Sequence, residues 1–338
     1  VGDNTIDSVW SSPGTPSFET FAAREVKTAD LDHDGLGEIV LSISKNNAPA
    51  DSSGLYVYEW DGVTDNGYNL VAVIPVDSGL VTGFTEDFAV DDIDGDGITE
   101  VVFLNNGTDP EDNVYVFSIT GTFETSWSMV TEAVFTRTGG DFNGGVYDVV
   151  VGNMDGDAFK EIIVSVTEDS GAFFIAEASG PDTYVPSNYV LIDTVDTGFS
   201  LEGMALADFD NNGADELYVA LFPSNQLVVM TGGTDVSTIT FANNVRVLRT
   251  GSVGPLGLTI GDQDHGAGSD GPDIYVSQFG SPDDGGYIQD FEFTGTDIFD
   301  PASYTEHVIF QDVAISTPAG FFQLYAPAVD LDGVGKRE

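Results

Sequence analysis

The chain is predicted to be all-β, a β-propeller of four-stranded antiparallel blades, from three features of its sequence. An acidic loop recurs about every 60 residues, short β-branched and aromatic runs fill the intervals, and no window repeats apolar residues at helical spacing. The loop appears as "DLDHDGLGEIVLSI" from Asp30, "DIDGDGITEVVFLN" from Asp92, "NMDGDAFKEIIVSV" from Asn153 and "DFDNNGADELYVAL" from Asp208. A looser copy, "DQDHGAGSDGPDIYVSQ", starts at Asp262, and a short one, "DLDGVGKRE", at Asp330. The first positions of these copies are separated by 62, 61, 55, 54 and 68 residues.

Within each period the elements follow one order. A lead-in strand ("EVKTA", "DFAVD", "DVVVG", "MALA", "GLTIG") enters the acidic loop, and an apolar strand such as "EIVLSI" or "EVVFLN" leaves it. A third strand follows ("GLYVYEW", "NVYVFSI", "AFFIAEASG", "QLVVMTGG", "YIQDFEFTG"), then a fourth such as "YNLVAVIPV" or "WSMVTEAVF". Gly, Asp and Asn bound these runs and supply the turns. The expected arrangement is one propeller domain over 1–338, with repeats beginning near 24, 86, 146, 201, 255 and 321. "NTIDSVW" reads as a fourth strand ahead of the first blade, and the last motif reaches Glu338 where its next strand is expected. The reading is therefore five complete blades and part of a sixth, cut mid-blade, from an intact ring of six or seven.

Composition narrows the partners. Nine Lys and Arg against 57 Asp and Glu give a formal net charge of −48, which repels nucleic-acid phosphates and anionic lipid headgroups. An apolar fraction of 41%, with 23 Phe and 12 Tyr, is nonetheless enough for a folded core. No cysteine is present for disulfides or thiolate ligands, and no apolar run of about 18 residues is present for membrane insertion.

Carboxylates two residues apart repel one another unless a cation lies among them. In D-x-D-x-D-G-x-x-E, the side chains at positions one, three, five and nine and the carbonyl at seven offer six or seven hard oxygens, a set that suits Ca²⁺ better than Mg²⁺. The first loop offers Asp30, Asp32, Asp34, the Leu36 carbonyl and Glu38; the second Asp92, Asp94, Asp96, the Ile98 carbonyl and Glu100. The third offers Asn153, Asp155, Asp157, the Phe159 carbonyl and Glu161; the fourth Asp208, Asp210, Asn212, the Ala214 carbonyl and Glu216. Two weaker sites are expected at Asp262, Asp264 and Asp273, and at Asp330, Asp332 and Glu338. An EF-hand is excluded, because its bidentate Glu stands at position twelve between helices. The four good loops hold fourteen side-chain carboxylates, so four calcium ions relieve their repulsion and tie the first two strands of each blade together.

These loops and their blade-length spacing resemble the FG-GAP/VCBS repeats of propellers of the integrin α-subunit type, over nearly the whole chain. The Phe-Gly and Gly-Ala-Pro elements of that family are not cleanly present, although Gly83-Phe84, Gly198-Phe199 and Gly320-Phe321 precede inner strands. The resemblance implies a seven-bladed ring as the commonest form, calcium loops gathered on one face, and roles in adhesion, glycan binding or the scaffolding of polysaccharide-degrading enzymes.

The expected function is a secreted or cell-surface binding module for a glycan or protein ligand, consistent with loops suited to millimolar calcium and the sequon Asn106-Gly107-Thr108. Alternatives are a self-assembling subunit of an extracellular layer or filament, and a polysaccharide lyase or hydrolase scaffold. No enzyme motif of the types G-x-S-x-G, H-E-x-x-H or Gly-rich phosphate cradle is present, so no catalytic residue is assigned. His33 and His265 fall inside metal loops as exposed side chains, and His307 on a strand surface. Trp10, Trp60, Trp127, Tyr184 and Phe222 are weighed as loop aromatics for sugar stacking against a place in the core between blades.

Overall fold

The computed structural model describes residues 21–45, 54–63, 67–75, 84–106, 113–167, 171–192, 200–222, 225–250, 255–261, 272–278 and 286–312. Among the described residues, twenty strands form five antiparallel sheets of four, each paired in chain order. The first blade is β1 (Phe21–Ala29), β2 (Glu38–Lys45), β3 (Gly54–Trp60) and β4 (Tyr68–Pro75). The second is β5 (Phe84–Asp91), β6 (Glu100–Asn106), β7 (Asn113–Thr122) and β8 (Ser126–Thr136). The third is β9 (Gly145–Gly152), β10 (Glu161–Thr167), β11 (Ala172–Gly180) and β12 (Thr183–Leu191). The fourth is β13 (Ser200–Ala207), β14 (Glu216–Phe222), β15 (Gln226–Thr231) and β16 (Val245–Thr250). The fifth is β17 (Pro255–Gly261), β18 (Asp273–Gln278), β19 (Gly286–Phe293) and β20 (Tyr304–Asp312). The first strands β1, β5, β9, β13 and β17 neighbour one another in succession, which sets the blades side by side as in a β-propeller. The lead-in "NTIDSVW" and the sixth repeat lie outside the described residues.

The second and third strands read as continuous apolar runs because both of their faces are buried. Along β10, Ile162, Val164 and Val166 pack toward the second blade while Ile163 packs toward the fourth. On β11, Phe174 and Ala176 face the second blade, and Phe173 and Ile175 the fourth. Leu217, Val219 and Leu221 of β14 join the core shared with the third blade, and Tyr218 and Ala220 that shared with the fifth. The period of two is that of strands whose every residue fills a junction between blades. Phe174 is the pivot between blades two and three, with ring centroids 5.2 Å from Phe135 and 5.5 Å from Phe142. Phe174→Ala is expected to cost about 3–5 kcal/mol. A denaturant titration with unchanged slope checks it, and a loss under about 1 kcal/mol would mean that the junction closes over the gap.

A second device joins the inner strands. Each first strand departs from regular pairing with its neighbour, between Thr85 and Phe88 on β5 and between Val146 and Val149 on β9, for example. Ahead of the second and third loops, acids five residues before the loop take up backbone groups of the next blade at these irregularities. Asp87 Oδ2 accepts from Val149 N–H at 3.0 Å, and Asp148 Oδ2 from Met204 N–H at 2.9 Å, each from the next blade. Burial, reinforced by Asp87, holds the Asp148 carboxyl well above the usual carboxylate range. In the fourth blade this position is Gly203, where an added Cβ would lie 2.8 Å from Leu258 N.

Candidate metal centres on the blade loops

The loops between the first two strands of blades one to four share one construction. Position two is a buried apolar anchor, Leu31, Ile93, Met154 or Phe209. Its N–H donates to Oε2 of the glutamate at position nine, at 2.6 Å to Glu38, 2.8 Å to Glu100, 2.5 Å to Glu161 and 2.9 Å to Glu216. The N–H at position five donates to the Asp at three, and the N–H at seven to the side chain at five, as in Leu36 to Asp34, Ile98 to Asp96, Phe159 to Asp157 and Ala214 to Asn212. These turns collect the side chains at one, three and five around a common point. The backbone is left-handed at position four, with φ of 59° at His33, 76° at Gly95, 76° at Gly156 and 57° at Asn211. It is left-handed again at position six in Gly35, Gly97 and Gly213. The third loop carries Ala158 there, outside that region, and Asn153 turns its amide to the Asp157 carbonyl at 2.8 Å.

Oxygens of Asp30, Asp32, Asp34 and Glu38 all lie within 4.8 Å of one another, as do those of Asp155, Asp157 and Glu161, and those of Asp208, Asp210 and Glu216. In the second loop Asp92, Asp94 and Asp96 converge in this way and Glu100 stays outside the group. Glu38 Oε1, Glu161 Oε1 and Asp30 Oδ1 are sealed from solvent without a hydrogen-bond partner. Burial, with the loop aspartates adding to it, pushes Glu38, Glu100, Glu161 and Glu216 up to about 8 despite the hydrogen bond each accepts. An all-oxygen anionic donor set with orphaned buried oxygens is the chemistry that a hard divalent cation completes. In the fifth repeat, Asp273 opens β18 and accepts from Tyr275 Oη at 2.8 Å. Asp262, Asp264, His265, Asp330, Asp332 and Glu338 lie outside the described residues.

The loops also hold one another laterally. The N–H at position eight reaches the preceding loop: Thr99 to His33 Nε2 at 3.0 Å, Lys160 to the Ile93 carbonyl at 3.2 Å, and Asp215 to the Asn153 carbonyl at 2.6 Å. His33 is therefore exposed and engaged at once, a role that only the spatial neighbour reveals. The Asp at position three bonds the next blade through its second oxygen, Asp32 from Phe123 N–H at 2.7 Å, Asp94 from Asp182 N–H at 2.6 Å and Asp155 from Val236 N–H at 3.3 Å. Beside the fourth loop a cavity of about 590 Å3 opens instead, lined in part by Asp210, Asn212, Glu216, Asp297 and Phe299.

Four of the five aromatics considered for stacking lie on strands rather than loops. Trp60 ends β3, Trp127 and Tyr184 lie within β8 and β12, and Phe222 ends β14. Tyr184 is buried in the junction of blades two and three, Trp127 packs edge-on against Phe123 at 5.5 Å, and Trp60 is exposed. Trp10 and the side chain of Phe222 lie outside the described residues. His307 stands on the surface of β20 with Nε2 3.3 Å from Glu292.

No family model matches the chain, and no curated protein matches it. Solved structures similar to it include the following two. One is the C-terminal domain of Pseudomonas aeruginosa PilY1, at TM-score 0.46 and 12% identity over 80% of this chain and 60% of that one. The other is a mutant of the Aleuria aurantia lectin in complex with alpha-methyl-L-fucoside, at TM-score 0.46 and 12% identity over 86% of this chain and 80% of that one. The chain thus spans 60% of the length of the first. Similarity at this level carries no functional argument, and the reading below rests on the chain's own geometry.

Proposed function

We propose that this chain is a calcium-stabilised propeller of the FG-GAP/VCBS kind, secreted or displayed at a cell surface, that binds a glycan or protein ligand. The observation that supports it is the four-fold recurrence of one loop, whose buried glutamate leaves an oxygen facing the aspartates without a partner in blades one and three. Calcium at these loops stabilises the blades and their junctions, and the carboxylates act as ligands and inter-blade acceptors rather than as catalysts. A binding role draws support from the cavity beside the fourth loop, where acidic acceptors meet the aromatic ring of Phe299, and from Trp60 on the surface.

The test is a glycan array probed with the chain in millimolar calcium and again in chelator, with light scattering on the same samples. Capture by a defined sugar that disappears in chelator is expected. A blank array accompanied by calcium-driven growth in particle mass would replace the binding role with that of an assembling subunit.

A further inference from the structure

Beyond the loops, an acid from the next blade faces each of the four metal loops. Glu124, Asp182, Asp235 and Asp297 sit in the turns between third and fourth strands of blades two to five. Three of these turns donate a backbone N–H to the Asp at position three, and the fourth shares the cavity with Asp210. A second position also faces these junctions, the third-strand residue paired with position nine. It is Glu59 opposite Glu38, Ser118 opposite Glu100, Glu177 opposite Glu161 and Thr231 opposite Glu216.

The junction of blades one and two combines acids at both positions and leaves Oε2 of the third-strand acid, Glu59, without a hydrogen-bond partner. At the next acidic pair, Glu177 Oε2 accepts from Ser187 Oγ at 3.0 Å. Oxygens of Asp32, Glu59 and Glu124 lie within 4.8 Å of one another. Glu59 reaches this point from the interior: it is 4% exposed, and its Oε2 is sealed from solvent with no hydrogen-bond partner. Among the described residues, no lysine or arginine pairs with any of the three. Three carboxylates converging in a half-buried seam, one with an orphaned oxygen, form an all-oxygen grouping whose repulsion a cation relieves.

We infer that a second hard divalent cation binds between the first and second blades, held by Asp32, Glu59 and Glu124 beside the ion of the first loop. Asp32 then serves two ions, with Asp30, Asp34 and Glu38 completing one site and Glu59 and Glu124 the other. Glu124 lies on an exposed turn and closes the second site from solvent. The ion joins the two blades through side chains from both, which the loop ions do only through backbone contacts. The inference rests on the loop reading through Asp32 alone.

The experiment is calorimetric titration of the chelator-stripped full chain with Ca²⁺, comparing wild type with Glu124→Gln, Glu59→Gln, Asp30→Asn and the double variant of Asp30 and Glu124. Circular dichroism checks that each is folded. Glu124→Gln and Glu59→Gln are each expected to take up one ion fewer than wild type, and the double variant two fewer. Asp30 belongs to the first loop only, so its variant loses a different ion. An isotherm for Glu124→Gln that matches wild type in number and affinity overturns the inference even if Glu59→Gln fails to fold. An unchanged isotherm for Asp30→Asn with a loss for Glu124→Gln overturns the first-loop site and leaves the second standing.

Discussion

Transfer of the chain from about 2 mM calcium into chelator is expected to lower its thermal midpoint by about 4–10 °C. Extracellular calcium modules bind with Kd of about 10⁻⁴–10⁻³ M, so each filled site adds about 0.6–1.8 kcal/mol under these conditions. Four loops together contribute about 3–7 kcal/mol, a large share of the stability of a folded domain. With an unfolding entropy of about 2.1 cal/mol/K per residue over 338 residues, that energy converts to the stated shift. The loops touch laterally, Lys160 to Ile93 and Asp215 to Asn153, so loss of the ions loosens the junctions as well as the turns. Scanning calorimetry in calcium, in chelator and in magnesium at equal ionic strength measures the effect. Magnesium is expected to restore little of it, because its small octahedral shell dehydrates reluctantly. An unchanged midpoint in chelator would remove the stabilising role. Recovery in sodium chloride alone would trace the effect to screening of the net charge of −48.

The parts of this architecture that depend on local sequence are legible in it. Strands such as "EIIVSV" and "ELYVAL" announce themselves because two buried faces demand an unbroken apolar run, and the loop announces itself because its ligands stand at fixed short offsets. What depends on contact between blades is not legible. The bond from Thr99 N–H to His33 spans 66 residues, and that from Phe123 N–H to Asp32 spans 91. The inner-strand acids did leave a trace, since Glu25, Asp87 and Asp148 each precede a loop by five residues. The partners of Asp87 and Asp148 are backbone groups of the next blade, which side-chain patterns do not encode, whereas Glu25 pairs with Lys27 on its own strand. The sequence leaves Tyr184 open between a loop and the core between blades for a related reason. In a chain where both strand faces are buried, an aromatic flanked by polar residues in "DTYVPS" carries no local sign of which it is, and its ring fills a junction.

Glu161→Gln is expected to act in opposite directions with and without calcium. Glu161 is fully buried, and its Oε2 accepts from Met154 N–H. Glutamine keeps an acceptor for that N–H and removes the charge. In calcium the ion loses a charged ligand, and the variant melts below wild type. In chelator the uncompensated carboxylate is a burden that the variant lacks, and it melts above wild type, by about 1–3 kcal/mol at pH 8. The pH dependence follows from the direction of the shift. Burial first, then Asp155, Glu177 and Asp157, raise the Glu161 carboxyl in the folded chain to about 8 from its ordinary 4.5. The folded state therefore holds the proton over a window where the unfolded state has released it. The stability of the stripped wild type is complete below about pH 4.5 and declines as pH rises toward 8, so the advantage of glutamine grows across that window and vanishes at its acid end. Melting curves of both proteins, stripped and calcium-loaded, at pH 5, 6.5 and 8 decide the matter. Destabilisation by glutamine in chelator at pH 8 would mean that Glu161 holds the loop through its charge even without a cation.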